Sequence, residues 1–410
     1  MTNNREVTVL RDLAKQVADI AAKPVQNERR DLWRKHNSFV RTRPPVICTA
    51  VFFWNELKFA ESLQTEDWLY KNIESRLRRI ILMARLDSDD IVEPYLTLGP
   101  SRLTPSGFSR WGLPIKHRST TEAGGSWGFE PALAQESDID KLVGFEHRID
   151  EEATAKTLAR VQDAIGDILP VTVSRAPMYK GFWGDISTDF AQLRGLSQLM
   201  LDLVDRPEWV HRVCAFMRDA ILRQHRQAED AGHWKFADGA NQAMSYSQDL
   251  PDPTDTPAGR NKLWLHMAAQ EMAQVSPAMH DEFILQYQLP IMEKFGLIAY
   301  GCCEDLTNKI DMLRKIPNLR RIAVSPFANI ARCAEQIKTD YIFSWRPSPA
   351  EVISNGFKPE KTRKLIREGL EACRGCHVDI TLKDVQTIGG NFQNLIDCMK
   401  IMRQEAENFA

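Results

Sequence analysis

Residues 297–345 read LIAYGCCEDLTNKIDMLRKIPNLRRIAVSPFANIARCAEQIKTDYIFSW. Three short apolar runs, 297–303, 320–325 and 340–345, are separated by stretches whose apolar residues recur at helical spacing, 306–315 and 329–337. A short run without polar alternation suits a strand covered on both faces. Strand and helix alternating at about 25 to 40 residues is the rhythm of a parallel sheet with crossover helices.

The same rhythm continues in both directions. Toward the C-terminus follow a helix at 358–373, a strand at 377–383 and a helix at 391–407. Toward the N-terminus a helix at 277–295, opened by Ser276-Pro277, is preceded by a strand at 262–268. One or two long helices span 188–231, with Pro207 in the first turn of the second, where proline is tolerated. A strand at 169–175, helices at 152–165 and 64–85 and an extended piece at 91–98 come earlier, and the apolar run 46–54 after Arg43-Pro44-Pro45 is the first strand. This order favours a (β/α)8 TIM barrel over 44–410, an α/β fold, rather than an open doubly wound sheet. Val9, Leu10, Leu13, Val17 and Ile20 lie at helical spacing within 5–36, so residues 1–43 are expected to form a helical extension covering one end of the core. Residues 99–150, rich in Gly, Ser, Pro and charge (Gly124-Gly125-Ser126-Trp127-Gly128), are expected as an insertion over the barrel. There is no internal repeat and no low-complexity tract.

Composition narrows the function classes. Lys and Arg number 53 against 55 Asp and Glu, a formal charge of −2, so neither nucleic acid nor an acidic membrane is expected to be held by bulk charge. A 43% hydrophobic content supplies a sizeable core. No stretch reaches the roughly 20 apolar residues of a membrane span, and MTNNREVTVLRDLAKQVADIAAK scatters its charges unlike a signal peptide. A soluble cytoplasmic protein is therefore expected, in which eight cysteines serve as buried small residues, metal ligands or nucleophiles rather than disulfides. Walker, GxGxxG and GxSxG motifs are absent. Cys373-Arg374-Gly375-Cys376-His377 matches the attachment pattern of c-type haem, but that chemistry belongs to exported proteins.

In a parallel barrel the chemistry sits at the C-terminal ends of the strands. Tyr300-Gly301-Cys302-Cys303-Glu304-Asp305 closes one of them, and alternation places Tyr300, Cys302 and Glu304 on one side and Cys303 and Asp305 on the other. Thiolates and carboxylates this close suit zinc; the two cysteines also suit a plain buried role. Ser325 ends the next strand, and Cys333 follows in the first turn of a helix, whose N-terminus would lower a thiol's pKa; a ligand, a reactive thiolate and a packed cysteine all remain open for it. Lys383-Asp384 closes the last strand as a site-facing or a surface pair. Trp345-Arg346 could offer an aromatic wall and a cation, and His266, Gln270 and Glu271 end the strand near 262–268.

These residues resemble a family. Gln270-Glu271 through Ser276-Pro277-Ala278-Met279-His280-Asp281-Glu282-Phe283, then Phe295-Gly296 and Tyr300-Gly301-Cys302-Cys303-Glu304, together with Arg194-Gly195, Asp205-Arg206-Pro207-Glu208-Trp209-Val210 and Gly232, look like the uroporphyrinogen decarboxylase superfamily, in its branch of corrinoid-dependent methyltransferases. The likeness runs over about 44–405. It implies a barrel whose mouth holds zinc through a His-x-Cys motif and a distant Cys. Tyr300 stands in place of that His, Cys302 keeps the Cys, and Lys383-Asp384-Val385 occupies the place of the distant Cys. The arginine-rich motif of porphyrinogen decarboxylation is replaced near the first strand by Phe52-Phe53-Trp54-Asn55-Glu56. The methyltransferase component of anaerobic aromatic O-demethylases is a narrower resemblance: its zinc pattern of an Asp, a Cys 28 positions on and a Cys 40 further on is reproduced by Asp305, Cys333 and Cys373, although Cys373 falls before the last strand rather than after it.

The resemblance implies transfer of a methyl group from a methoxylated aromatic, or a similar small donor, to the Co(I) of a separate corrinoid protein. Zinc held by some of Cys302, Glu304, Asp305 and Cys333 would stabilise the departing phenolate. Tyr300 or Glu271 would donate a proton or orient the ether oxygen, and Trp345 would pack on the ring. Arg346 or Lys383 would pair with a ring carboxylate, and His266 and Ser325 would complete the substrate wall. With no cobalamin site of its own, the chain would meet cobalamin on the partner. The alternatives are a metal-independent lyase acting on a small carboxylic acid, anchored by Lys383 and Arg346, and a binding module without catalysis. A homodimer is expected only as the commonest assembly.

Overall fold

The apolar runs form strands, and the first of them pairs with the last. A computed structural model describes residues 4–103, 111–119 and 127–409. Its strands are β1 (Val46–Thr49), β2 (Leu96–Leu98), β3 (Lys116–Ser119), β4 (Trp127–Glu130), β5 (Val171–Val173), β6 (Trp264–Met267), β7 (Leu297–Tyr300), β8 (Leu319–Val324), β9 (Ile342–Trp345) and β10 (His377–Lys383). Six form one parallel sheet in the order β1-β10-β9-β8-β7-β6; β2 and β5 form a separate parallel pair, and β3 and β4 an antiparallel hairpin. Mixed α/β architecture with a parallel sheet is thus present, while among the described residues the eight parallel strands are not joined into one hydrogen-bonded ring. The hairpin lies within 99–150; Gly124, Gly125 and Ser126 of that segment fall outside the described residues. No described helix is long and apolar enough to cross a membrane.

Several elements are shorter than the sequence predicts, each for a local reason. The first strand stops at Thr49 because Ala50 takes φ 50° and turns the chain. The 297–303 strand stops at Tyr300, where Gly301 takes φ 97°. Region 188–231 is three helices, Ser187–Arg194, Leu196–Asp205 and Pro207–Asp230, broken at Gly195 (φ 83°) and before Pro207 at its expected first-turn position. Only Ile310–Leu313 of 306–315 is α-helical.

Strand alternation sorts side chains onto two faces. Phe343, Trp345, Ile380 and Leu382 join the large apolar core that the helices cover. Trp345 packs so tightly on helix Pro359–Ala372 that a Cβ on Gly369 would lie 2.2 Å from its ring. On the other face Arg321, Ser344 and Asp379 meet. Arg321 Nη2 donates to Asp379 Oδ2 at 2.6 Å, the Ser344 hydroxyl donates to Asp379 Oδ1 at 2.8 Å, and His36 Nε2 lies 3.0 Å from Asp379 Oδ2. His36 belongs to the second of two N-terminal helices, α1 (Asn4–Ala21) and α2 (Val25–His36). Its neighbours add to the plug: Trp33 is fully buried with its indole N–H on the Asp89 carbonyl, and Asn37 accepts from Arg321 at 2.8 Å. Meanwhile α1 packs on helices Trp68–Met83 and Glu151–Ile165.

Removing one partner of a buried ion pair strands the other charge. Arg321→Met should therefore cost about 3–5 kcal/mol in denaturant unfolding, and removing Asp379 as well should recover part of the loss. Acid should act through the histidines. Burial lowers His225, His266 and His280 to about 3 and His147 to about 4, against an ordinary 6.5. The unfolded chain then binds more protons below that ordinary value, so stability present above about pH 6.5 is lost as pH falls toward the folded values, by about 1.4 kcal/mol per pH unit for each fully buried histidine. Thermal melts between pH 7 and 4 should show it.

Candidate active site

The C-terminal ends of β7 and β10 bring two cysteines and a lysine into one cavity. Register pairs Lys383 with Thr49 of β1, and the Asp384 N–H donates to the Ala50 carbonyl at 2.9 Å, so the chain leaves β10 held against the turn that ends β1. After β7, a Cβ on Gly301 would stand 2.6 Å from Leu306 Cδ1 and 3.1 Å from Ala323 Cβ, which makes glycine necessary there in addition to its positive φ. This left-handed residue ends the alternation. Tyr300 points toward the helices, donating to Gln288 Oε1 and lying 2.9 Å from His280 Nε2, while Cys302 and Cys303 both line the cavity.

Buried polar groups fix the cysteine loop. The Glu304 carboxylate accepts from Cys302 N–H at 2.7 Å and from Ala269 N–H at 3.0 Å. Arg346 Nη1 donates to the Cys302 carbonyl at 2.5 Å, and Nη2 to Gln242 Oε1 at 2.6 Å. Below them His266 lies 3.2 Å from the Gly301 carbonyl and edge-on to Phe182, neutral at ordinary pH because burial and Arg346 disfavour its charge.

The cavity has a volume of about 530 Å3. Lys383 Nζ stands 2.9 Å from Cys302 Sγ, 3.5 Å from Cys303 Sγ and 3.2 Å from Asp384 Oδ2. The two sulfurs are 3.5 Å apart, and Gln242 Nε2 lies 3.6 Å from Cys302 Sγ. A hydrogen bond from Cys303, with Arg346 and Lys383, outweighs burial and holds the Cys302 thiol well below its ordinary value, toward the thiolate. Cys303 is pushed up by its bond to that thiolate and by burial. For Lys383, burial and Arg346 press downward, and the Cys302 thiolate more than offsets them. Three residues lining this cavity, Ala50, Gln242 and Asp384, hold φ values of 50°, 55° and 60°, a backbone state that costs a non-glycine residue about 1–3 kcal/mol and clusters at functional sites.

Of the residues singled out in the sequence, the structure unites Cys302, Cys303, Lys383, Asp384 and Gln270 on one cavity, with Arg346 and His266 supporting the cysteine loop. The others lie elsewhere. Glu271 accepts from Ser187 at 2.8 Å and lines a different cavity. Trp345 faces helix Pro359–Ala372, and Ser325 is buried with its oxygen on the Phe327 N–H. Asp305 Oδ1 accepts from the Thr307 hydroxyl at 2.5 Å, and Cys333 donates to that hydroxyl. Glu304 spends both oxygens on backbone N–H groups. Cys373 donates to the Gly369 and Leu370 carbonyls at the start, not the end, of β10.

Cys302, Glu304, Asp305 and Cys333 therefore do not converge, and among the described residues no three His, Cys, Asp or Glu side chains form a group able to hold a metal ion. Where a cation would sit between Cys302, Cys303 and Asp384, the Lys383 ammonium already stands. The residues present do not fit zinc. Gln242, Thr381, Phe182, Phe52, Met244 and Asp90 are among the further lining residues, and no sequence pattern marked them as site residues.

Alkylation by iodoacetamide should select Cys302 in the native protein, with a rate midpoint well below that of an ordinary thiol. In Lys383→Met the midpoint should move up by at least about one pH unit, because burial then acts against one cation fewer. Gly301→Ala should slow this alkylation and destabilise the fold by about 1–3 kcal/mol, as read by peptide mapping and denaturant unfolding. No family model matches this chain and no curated protein is significantly similar to it, so its chemistry rests on this geometry.

Proposed function

We propose that this protein transfers a methyl group from a small methyl donor to the Co(I) of a separate corrinoid protein, at the mouth of a (β/α)8 barrel. Support for the barrel comes from β1 pairing with β10 and from β2 and β5, which supply the two parallel strands that the six-stranded sheet lacks for eight. The observation that carries the function is the Cys302–Lys383 pair in a cavity of about 530 Å3 at the strand ends, where a barrel places its chemistry. Its position agrees with the resemblance to the uroporphyrinogen decarboxylase superfamily, in which Cys302 and Lys383 fall where two metal ligands are expected.

In such a transfer the methyl carbon leaves its donor without the bonding electrons, and an electron pair of the acceptor forms the new bond. Holding donor and acceptor in line contributes most of the acceleration. Here the walls position the donor, and Lys383 is the cavity group able to offset negative charge or lend a proton where the donor departs as an anion. Cys302 keeps that lysine charged and in place. No step is assigned to zinc.

The test is anaerobic incubation of the purified protein with cob(I)alamin and a panel of methyl donors: methoxylated aromatics, methylated amines, thioethers and their onium derivatives. Loss of the cob(I)alamin absorption with stoichiometric demethylated donor is expected. With a donor that departs as an anion, Cys302→Ala and Lys383→Met should each slow the transfer by about a hundredfold or more. Carbon dioxide release from a small carboxylic acid, with no methyl transfer, would replace this reading by the lyase.

A further inference from the structure

Charge on the cavity wall narrows the donor. Of the residues lining it, Asp90 and Asp384 are carboxylates and Lys383 alone is cationic. Lys383 is already in contact with Cys302, Cys303 and Asp384, so its single charge is shared with groups of the wall itself. Two guanidinium groups stand behind the wall rather than on it: Arg346 donates through its Nη atoms to the Cys302 carbonyl and Gln242, Arg29 through Nη1 to the Asp90 carbonyl at 2.8 Å, and the Nε of each is buried without a partner. Around these charges the wall is apolar and polarisable, with Phe52, Phe182 and Met244 facing the same space. Phe52 is 54% exposed and keeps its ring free at the mouth. A further oxygen lacks a partner there: Thr381 Oγ1, on a residue 1% exposed, makes no hydrogen bond although the residue lines the cavity.

We infer that the ligand of this cavity is a small methylated onium cation, a quaternary ammonium or a sulfonium, held by Asp384 and Asp90 and by the faces of Phe52 and Phe182, with the Thr381 oxygen turned toward its polarised methyl groups. Aromatic faces joined to carboxylates are what recognises such a cation. A ring carboxylate, by contrast, would meet Asp90 and Asp384 on a wall whose one cation, Lys383, is already paired with Asp384. The inference rests on the methyl-transfer reading for its consequence and fits the missing metal set. Breaking a methyl–nitrogen or methyl–sulfur bond of an onium returns the electron pair to the heteroatom, which leaves as a neutral amine or thioether while the acceptor's pair binds the methyl carbon. No anion departs, so neither a Lewis acid nor a proton from Lys383 is required.

Calorimetric binding to the purified protein tests the inference independently of turnover. Choline, tetramethylammonium and trimethylsulfonium are compared with the uncharged tert-butyl analogue of choline and with methoxybenzoate. Choline is expected to bind at least about tenfold more tightly than its uncharged analogue, with methoxybenzoate weakest. Asp384→Asn, which suits a left-handed position, and Phe52→Ala should each weaken tetramethylammonium binding several-fold while leaving the melting temperature in place. Equal or tighter binding of the uncharged analogue or of methoxybenzoate overturns the inference. Assays with cob(I)alamin separate the two claims. Onium binding with no methyl transfer from any donor overturns the methyl-transfer reading and leaves the ligand class standing; transfer from methoxylated aromatics alone does the reverse.

Discussion

A single buried carboxylate, Asp379, organises the molecule. It takes hydrogen bonds from Arg321 of β8 and Ser344 of β9 and lies against His36 of α2, so three adjacent strands and the N-terminal helix share one acceptor. Burying an ion pair gains little net stability over an apolar replacement, because desolvation cancels much of the attraction. What the pair can fix is register. A slip of one residue along β10 would turn Asp379, Thr381 and Lys383 together to the helix-covered face. The charge beneath the cavity and the lysine in it thus share one strand face, and satisfying the first places the second.

Within the cavity, a tethered ammonium occupies the point where three soft or anionic ligands would otherwise gather. The hydrogen bond from Cys303, with the cations Arg346 and Lys383 acting in a partly buried space where charges interact more strongly than at the surface, lowers the Cys302 thiol, while other buried thiols such as Cys333 and Cys373 are pushed upward chiefly by burial. A lysine differs from a metal in one chemical respect: it has no vacant coordination site, and it acts by charge and by proton. Such a site suits reactions in which the leaving group needs little help.

The strands were legible in the sequence because each is a short apolar run bounded by a turn, and Cys302 and Lys383 were legible because they finish two of those runs. Directions of the neighbouring side chains were not. Alternation puts Glu304 beside Cys302, but Gly301 takes a positive φ and ends the strand, so Glu304 turns to backbone N–H groups instead. Trp345 lies one position before Arg346, and parity sends it to the helices. The spacing match of Asp305, Cys333 and Cys373 ignores chain direction, and Cys373 sits at the opposite end of β10 from Lys383. Gln242 and Phe182 come from irregular segments whose placement depends on tertiary contacts rather than periodicity.

Strain marks the site as well. Ala50, Gln242 and Asp384 adopt left-handed backbone where glycine would be easier, and all three line the cavity. At Asp384 and Ala50 the two turns are linked by a main-chain hydrogen bond, so the end of the first strand and the end of the last constrain each other. Glycine would relieve the strain but would remove the Asp384 carboxylate and the Gln242 amide. That amide holds Arg346 through its oxygen and approaches Cys302 through its nitrogen. Of the side chains at these costly positions, Asp384 adds charge to the wall and Gln242 holds Arg346 beside Cys302, which gives the strain at those two a chemical reason.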